Sequence, residues 1–223
     1  PKQRRLLPVT LTEAEGQGFQ HRLQLTVDDY RRRAAAGLVR RDAEVLAVFT
    51  ALRQIAAEYK LPAAAELIGG LLRQGEAVVV FSTFVAAAQL LQQRLGGALL
   101  TGRLRPAERQ GLVEAFQAGV HPLLICTYGA GGLGFNLQRA RHVVLLERPW
   151  TPGDAEQAED RCHRIGQRSP LQSHWLQLGV ADQLVDGLIA SKAERIAVLL
   201  QRRPTALERQ GLPRMVRRLL EEW

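Results

Sequence analysis

Gln157, Arg161 and Arg164 stand at i, i+4 and i+7 within the stretch Trp150–Gln167. That spacing predicts one face of a helix that begins behind Pro152-Gly153, is capped by Asp154 and stops at Gly166. Two guanidiniums side by side repel each other unless an anion lies near them. The planar donor fork of arginine suits phosphate, above all a phosphoryl group whose charge develops during transfer. A solvated arginine-rich face has the same spacing, so spacing alone leaves both readings open. Cys162-His163 falls in this stretch, but no second Cys/His pair stands at ligand spacing, and no metal site is predicted.

A second stretch able to do chemistry is Thr127–Leu137, where Gly129, Gly131, Gly132 and Gly134 crowd together. Glycines let backbone amides approach a phosphate closely, and hydroxyls add donors, although a plain flexible turn has the same composition. Ser82-Thr83-Phe84 and Thr101-Gly102-Arg103 complete the candidates. Each of these three segments follows a short apolar run of the kind that forms a buried strand: 77–81, 98–101 and 123–126. Two further runs, 143–146 and 175–178, are predicted strands. Between and after them come predicted helices over 85–95, 106–118 and 182–202. Strands alternating with helices argue for a parallel α/β sheet, and such sheets meet their ligands at the carboxyl ends of the strands. The candidate residues cluster at those ends.

Upstream, residues 1–12 have extended character around Leu6–Leu11, and Thr12-Glu-Ala-Glu15 has the form of a capping box. Helical periodicity then runs to Arg73, with Gly37 and Pro62 as expected interruptions. Residues 204–223 form a basic, amphipathic tail. The expected division is a helical protrusion over 1–74, a lobe over 75–203 and a tail helix over 204–223.

The chain of 223 residues is 46% apolar with scattered charge, which describes a globular protein with ample core. Its longest apolar runs are too short to span a bilayer, no signal peptide opens it, and two cysteines cannot build a disulfide framework. An intracellular setting is expected: bacterial cytoplasm, or the nucleus of a eukaryote. A net charge of +8 fits a polyanionic partner, but lysine occurs only at Lys2, Lys60 and Lys192, so the charge is an arginine bias that composition alone can produce. The start at Pro1 instead of Met is what a piece of a longer protein would show.

Gln157-Ala-Glu-Asp-Arg161-Cys-His-Arg164-Ile-Gly-Gln167 resembles the sixth helicase motif of the Swi/Snf-like DNA-dependent ATPases of helicase superfamily 2. Trp150-Thr-Pro152 resembles the Trp-Asn-Pro that precedes it there. Ala130–Leu137 is similar to the fifth motif, and Val78–Phe84 resembles the fourth, with Thr83 where Gln is common. Gly102-Arg103 resembles a phosphate-contacting turn, and in the Thr127–Leu137 stretch Gly129 stands where family members often have Lys or Arg.

The resemblance covers roughly 77–202. It implies a RecA-like parallel sheet sandwiched by helices, with an N-terminal helical extension and a C-terminal brace helix. It implies further that Arg161 and Arg164 are fingers reaching ATP on another lobe, with Gln157 helping to position the site. Gly132, Gly134 and Asn136 would lie at the nucleotide cleft, and Ser82, Thr83, Gly102, Arg103, Thr127 and Gly131 would grip DNA phosphates. The implied partners are double-stranded DNA and an N-terminal lobe that holds most of ATP and Mg²⁺; no membrane is involved. No G-x-x-x-x-G-K-[ST] motif frames Lys192 and no acidic box is present, so the chain is expected to be inactive alone. Two alternatives stay open, a relative acting on RNA or single strands and a degenerate lobe kept for docking.

Overall fold

The computed structural model describes residues 2–39, 42–131, 134–149, 152–164, 170–179 and 182–183. The predicted helix over 182–202 lies outside them save for its first two residues, and the tail 204–223 lies wholly outside, as do Gly132 and Trp150. The described elements are, in order, β1 (Lys2–Pro8), α1 (Glu13–Ala35), α2 (Asp42–Arg73), β2 (Val78–Ser82), α3 (Val85–Leu95) and β3 (Ala98–Leu100). They continue with α4 (Pro106–Gln117), β4 (Leu123–Thr127), α5 (Tyr128–Gly131), β5 (His142–Leu145), α6 (Pro152–Asp160) and β6 (Leu171–Gln177).

The six strands form one parallel sheet in the order β1-β6-β5-β2-β4-β3. β2 and β4 are buried along their whole length, as strands covered on both faces must be. Alternate side chains serve opposite layers: Val79 and Phe81 pack with Val113, Phe116, Ala155 and Ala158, while Val78 and Val80 pack with Ala64, Ile68, Ala88 and Leu91. The sheet is therefore covered by α4 and α6 on one face and by α2 and α3 on the other. This is the RecA-like sandwich expected from the sequence. The first half of α2 instead packs with α1 in a third cluster that includes Phe19, Leu23, Val27, Phe49 and Leu52.

The elements begin where local chemistry allows. Thr12 and Glu15 close the predicted capping box: the Glu15 amide donates to Thr12 Oγ1 (3.3 Å) and the Thr12 amide to Glu15 Oε2 (2.9 Å). Pro106 occupies the first turn of α4, where its missing amide costs nothing. Gly37 breaks the helices at φ +70, as expected. Pro62 does not: it sits on the exposed side of a continuous α2, one turn after exposed Glu58, whose carbonyl is the one that loses its helical donor.

Two further expectations are corrected. The N-terminal segment is extended as expected, but it belongs to the sheet and not to the helical protrusion: it is β1, paired in parallel register with β6 from Lys2↔Leu171 to Pro8↔Gln177. The sixth-motif helix is short. It starts at Pro152, so Asp154 lies in its first turn and is no cap, and it ends at Asp160. Arg161 stays one turn above Gln157 through its amide bond to Gln157 O, but the Arg161 carbonyl leaves the ladder, so Arg164 is not held on the same face by a regular helix.

At the amino end of β5, His142 Nδ1 meets His174 Nε2 of β6 at 3.0 Å, with the rings stacked. Burial holds both imidazoles below their usual pKa, His174 down to about 4, and Arg5 adds to the effect on each.

Candidate nucleotide and nucleic-acid site at the carboxyl edge of the sheet

β2 is central, and the chain leaves it on one side through β3 and β4 and on the other through β5 and β6. Ligands of open α/β sheets sit beyond the carboxyl ends of strands where the chain divides in this way. The register puts Ser82 beside Thr127 and Leu100 beside Cys126, so the ends of β2, β4 and β3 bring Ser82, Thr83, Thr127, Gly102 and Arg103 to one edge. Gly102 and Arg103 are exposed on the turn after β3. Thr127 is nearly buried.

Ser82 is fully buried, and its hydroxyl is committed: it donates to Glu147 Oε2 (2.9 Å) and accepts the Phe84 amide (3.0 Å). The Thr83 amide donates to the same carboxylate oxygen at 2.8 Å. Thr83 Oγ1 is shielded from solvent and has no hydrogen-bond partner among the described residues.

Glu147 anchors a buried polar network that sequence reasoning missed. Burial pushes its carboxyl pKa up, and Lys60, the Thr83 amide, the Ser82 hydroxyl and Arg53 pull it back. Lys60 is itself buried and paired with Asp182 Oδ2 at 2.7 Å. Arg53 donates to the Arg148 carbonyl and Arg148 to the Leu176 carbonyl, while the Tyr128 hydroxyl donates to the Glu147 carbonyl (2.6 Å). Burial lowers the Arg53 pKa, against the pull of Glu147 and Asp182. A signal for two of these residues was present. Lys60 shares an i+4 stripe with Leu52, Ala56, Ala64 and Ile68, and Arg53 shares one with Phe49, Ala57 and Leu61, so each is a cation on an apolar face.

The sixth-motif residues form the second half of the site. Gln157, Arg161 and Arg164 line one open cavity of about 500 Å³ together with Gly153, Glu156, Asp160 and His163. Beyond Asp160 the helix runs on for one tightening turn: the Arg161 amide donates to Gln157 O (3.2 Å), and the Cys162 and His163 amides both donate to Glu159 O (3.0 and 2.9 Å). The Arg161 carbonyl leaves the helical ladder and accepts the Leu137 amide at 2.8 Å. Cys162 is drawn into the apolar cluster, where burial holds its thiol, like that of Cys126, well above the usual pKa.

That Leu137–Arg161 hydrogen bond joins the two halves through the glycine-rich loop. Gly131 ends α5, which packs against α6. Gly134 takes φ +84, a conformation costly to any residue with a Cβ. Asn136 is exposed, and its Oδ1 accepts the Gln138 amide at 3.2 Å, closing a local turn. Of the residues expected at the nucleotide cleft, Gly134 and Asn136 thus lie on the loop that leads to Leu137 and its bond with Arg161, and neither lines the arginine cavity.

Residues 59–166 match the helicase conserved C-terminal domain. YwqA of Bacillus subtilis is 34% identical over 140 residues, which are 60% of this chain and 15% of that protein. The human SWI/SNF-related matrix-associated actin-dependent regulator of chromatin subfamily A member 1 is 32% identical over 136 residues, covering 58% of this chain and 13% of the relative. Among solved structures, the C-terminal part of the Fun30 ATPase domain superposes with a TM-score of 0.72 over 99% of this chain and 96% of that one, at 15% identity. The SWI2/SNF2 ATPase core of Sulfolobus solfataricus in complex with double-stranded DNA gives 0.67 over 89% of this chain and 46% of that one, at 22% identity. The class is a RecA-like C-terminal motor lobe. Over the matched residues the chain is similar to the helicase C-terminal domain and to Swi/Snf-like relatives, and it spans less than a sixth of these two sequence relatives.

Proposed function

We propose that this lobe completes an ATPase that moves along double-stranded DNA, by presenting Arg161 and Arg164 to ATP·Mg²⁺ held mainly on an N-terminal lobe. The observation that carries the reading is the single cavity that gathers Gln157, Arg161 and Arg164. Closure of the two lobes would bring guanidiniums to the γ-phosphoryl oxygens, where their planar donors stabilise the charge of the transition state. The two acids of the cavity are offset from outside it, Asp160 by Lys2 at 2.5 Å and Glu156 by Arg4 at 3.7 Å. The cavity therefore keeps cationic character toward an anion.

The opposite edge of the site grips the DNA backbone. Thr83 Oγ1, without a partner among the described residues, exposed Gly102 and Arg103, and Thr127 and Gly131 at the end of β4 and α5 form this grip. A shielded hydroxyl without a partner costs about 1–3 kcal/mol, which a phosphate oxygen would recover. Ser82 acts at one remove, by holding the Glu147 carboxylate that orients the Thr83 amide. The loop from Gly131 to Leu137 links phosphate contact to the arginines through Leu137 and Arg161. Of the expected protrusion over 1–74, α1 and the first half of α2 would form the part that projects, since β1 and the rest of α2 pack in the lobe, with a brace helix over 204–223. The protein would work in bacterial cytoplasm or, in a eukaryote, in the nucleus.

The test is ATP turnover by this chain alone and joined to its N-terminal lobe, with and without duplex DNA. The chain alone should be silent, and the two-lobe protein should be stimulated by DNA. Arg164→Ala in the two-lobe protein should cut turnover by about 10³–10⁵, the effect of removing such a finger, while DNA affinity holds. Normal turnover by that variant would refute the reading. Stimulation by RNA or single strands in place of duplex would reassign the substrate, and a two-lobe protein indifferent to nucleic acid would make the lobe a docking module.

A further inference from the structure

We infer that β1 sets the position of the arginine cavity, acting through Glu159, which is a positioning residue for the reaction. The inference rests on the finger reading above and adds to it the device that aims the fingers.

Past Asp160 only the Arg161 amide and the bonds to Glu159 O continue the ladder, and the Arg161 carbonyl leaves it for the Leu137 amide, so helical regularity alone does not place the two arginines. Their turn hangs from Glu159. Its carbonyl accepts the Cys162 and His163 amides, and its side chain lies on the other side of the same residue, fully buried. That carboxylate is met from two strands. Arg4 of β1 reaches it with Nε (2.9 Å to each oxygen) and Nη2 (2.6 Å to Oε2). From β6, the Ser173 hydroxyl donates to Oε1 at 2.7 Å, and Trp175 Nε1 donates to the same oxygen at 3.0 Å. Lys2 lies 3.7 Å from Oε2.

A buried carboxylate is stable only when its oxygens are filled with donors, and a bidentate arginine also fixes its orientation. Here the arginine belongs to the edge strand. The Arg4 guanidinium lies over the Trp175 ring, 5.3 Å from its centre, which holds it against β6. The same strand also neutralises the cavity acids, through Lys2 to Asp160 and Arg4 to Glu156. A shift of β1 along β6 would pull Glu159 and with it the turn that carries both arginines. Fingers must meet the transferring group within a fraction of an ångström, and misplacement by about 1 Å can cost on the order of 100-fold in rate.

The experiment measures DNA-stimulated ATP turnover of the two-lobe protein carrying Arg4→Ala, Arg4→Lys, Glu159→Gln or the Arg4→Ala/Glu159→Gln pair, beside Arg164→Ala. Arg4→Ala and Glu159→Gln should each lower kcat by about 10- to 100-fold. KM for ATP and the DNA concentration for half-stimulation should stay at the parent values. Arg4→Lys, which keeps the charge and loses the fork, should fall between parent and Arg4→Ala. The pair should be no slower than the slower single variant, because both remove one link. Glu159→Gln removes the buried charge without changing shape, and it carries the test if Arg4→Ala does not fold.

Full kcat in Arg4→Ala and Glu159→Gln, with Arg164→Ala inactive, would overturn this inference and leave the finger reading intact. Losses in kcat, KM and melting temperature that move together would also overturn it, since they report general damage. Normal turnover in Arg164→Ala would overturn the finger reading itself.

Discussion

Replacing Lys60 by Met keeps the length of the side chain and removes its charge from the interior. The ammonium is fully buried 2.7 Å from Asp182 Oδ2, whose side chain is 2% exposed and also accepts the Leu178 amide at 2.7 Å. At that separation the Coulomb attraction is about 6 kcal/mol for an effective dielectric of ~20, most of it offset by the desolvation of both ions. Breaking a buried pair from one side leaves the other charge uncompensated and costs about 3–5 kcal/mol. Asp182 would keep its Leu178 donor and the field of Arg53, which places Lys60→Met at the lower end, about 3 kcal/mol. Adding Asp182→Asn removes the stranded charge while leaving an oxygen for the Leu178 amide, so the double variant should recover part of the loss, the remainder being the cost to buried Glu147 of losing the field of Lys60. Urea denaturation of the parent, the two single variants and the double variant closes this cycle, with unchanged m-values as the check that the unfolded state is comparable. A loss below about 1 kcal/mol in Lys60→Met, or a double variant that loses the sum of the singles, would refute the argument from an uncompensated buried ion.

Two further outcomes can be measured by denaturation. The His142–His174 pair is held below its usual pKa by burial, so the unfolded chain binds protons more readily than the folded one; stability should fall as pH drops from 6.5 toward about 4. The groups facing the pair are Glu76, Arg5 and Arg141, and His174→Gln should flatten that fall; an unchanged slope would assign it to other groups. Gly134→Ala meets no atom within 4 Å, so its cost is backbone strain at φ +84, about 1–2 kcal/mol, and a neutral outcome would show that the loop relaxes.

The central sheet is legible in the sequence because its strands are short apolar runs between clear breaks, and the helix expected over 85–95 has those limits in the structure. β1 is not legible as a sheet member. Its Gln3-Arg4-Arg5 segment is mostly exposed and charged, and its pairing depends on β6, which is remote in the sequence. The sixth-motif residues can be found by type, but their spacing misplaces them. Periodicity continues through Arg164, and nothing local announces that the Arg161 carbonyl will take the Leu137 amide instead of extending the helix. Ser82 is legible as a residue at a strand end; its partner Glu147 lies beyond another strand, and only the register of β2 with β5 brings them together. Lys60 and Arg53 stand out as cations on apolar stripes, yet what they pair with is fixed by tertiary contact.

The parallel pairing of β1 with β6 also dictates an order of events at the ribosome. Lys2 is made well before Leu171 and must wait for it before it has a neighbour. At ordinary synthesis rates that wait is on the order of ten to thirty seconds, during which β1 can form none of its sheet hydrogen bonds. The core strands β2, β3, β4 and β5 can assemble meanwhile, but β6 then arrives as an open edge with a buried row of side chains and needs β1 to cover it. The charges on β1 suit that delay, since a lysine- and arginine-bearing strand stays hydrated and resists pairing with other chains while it waits.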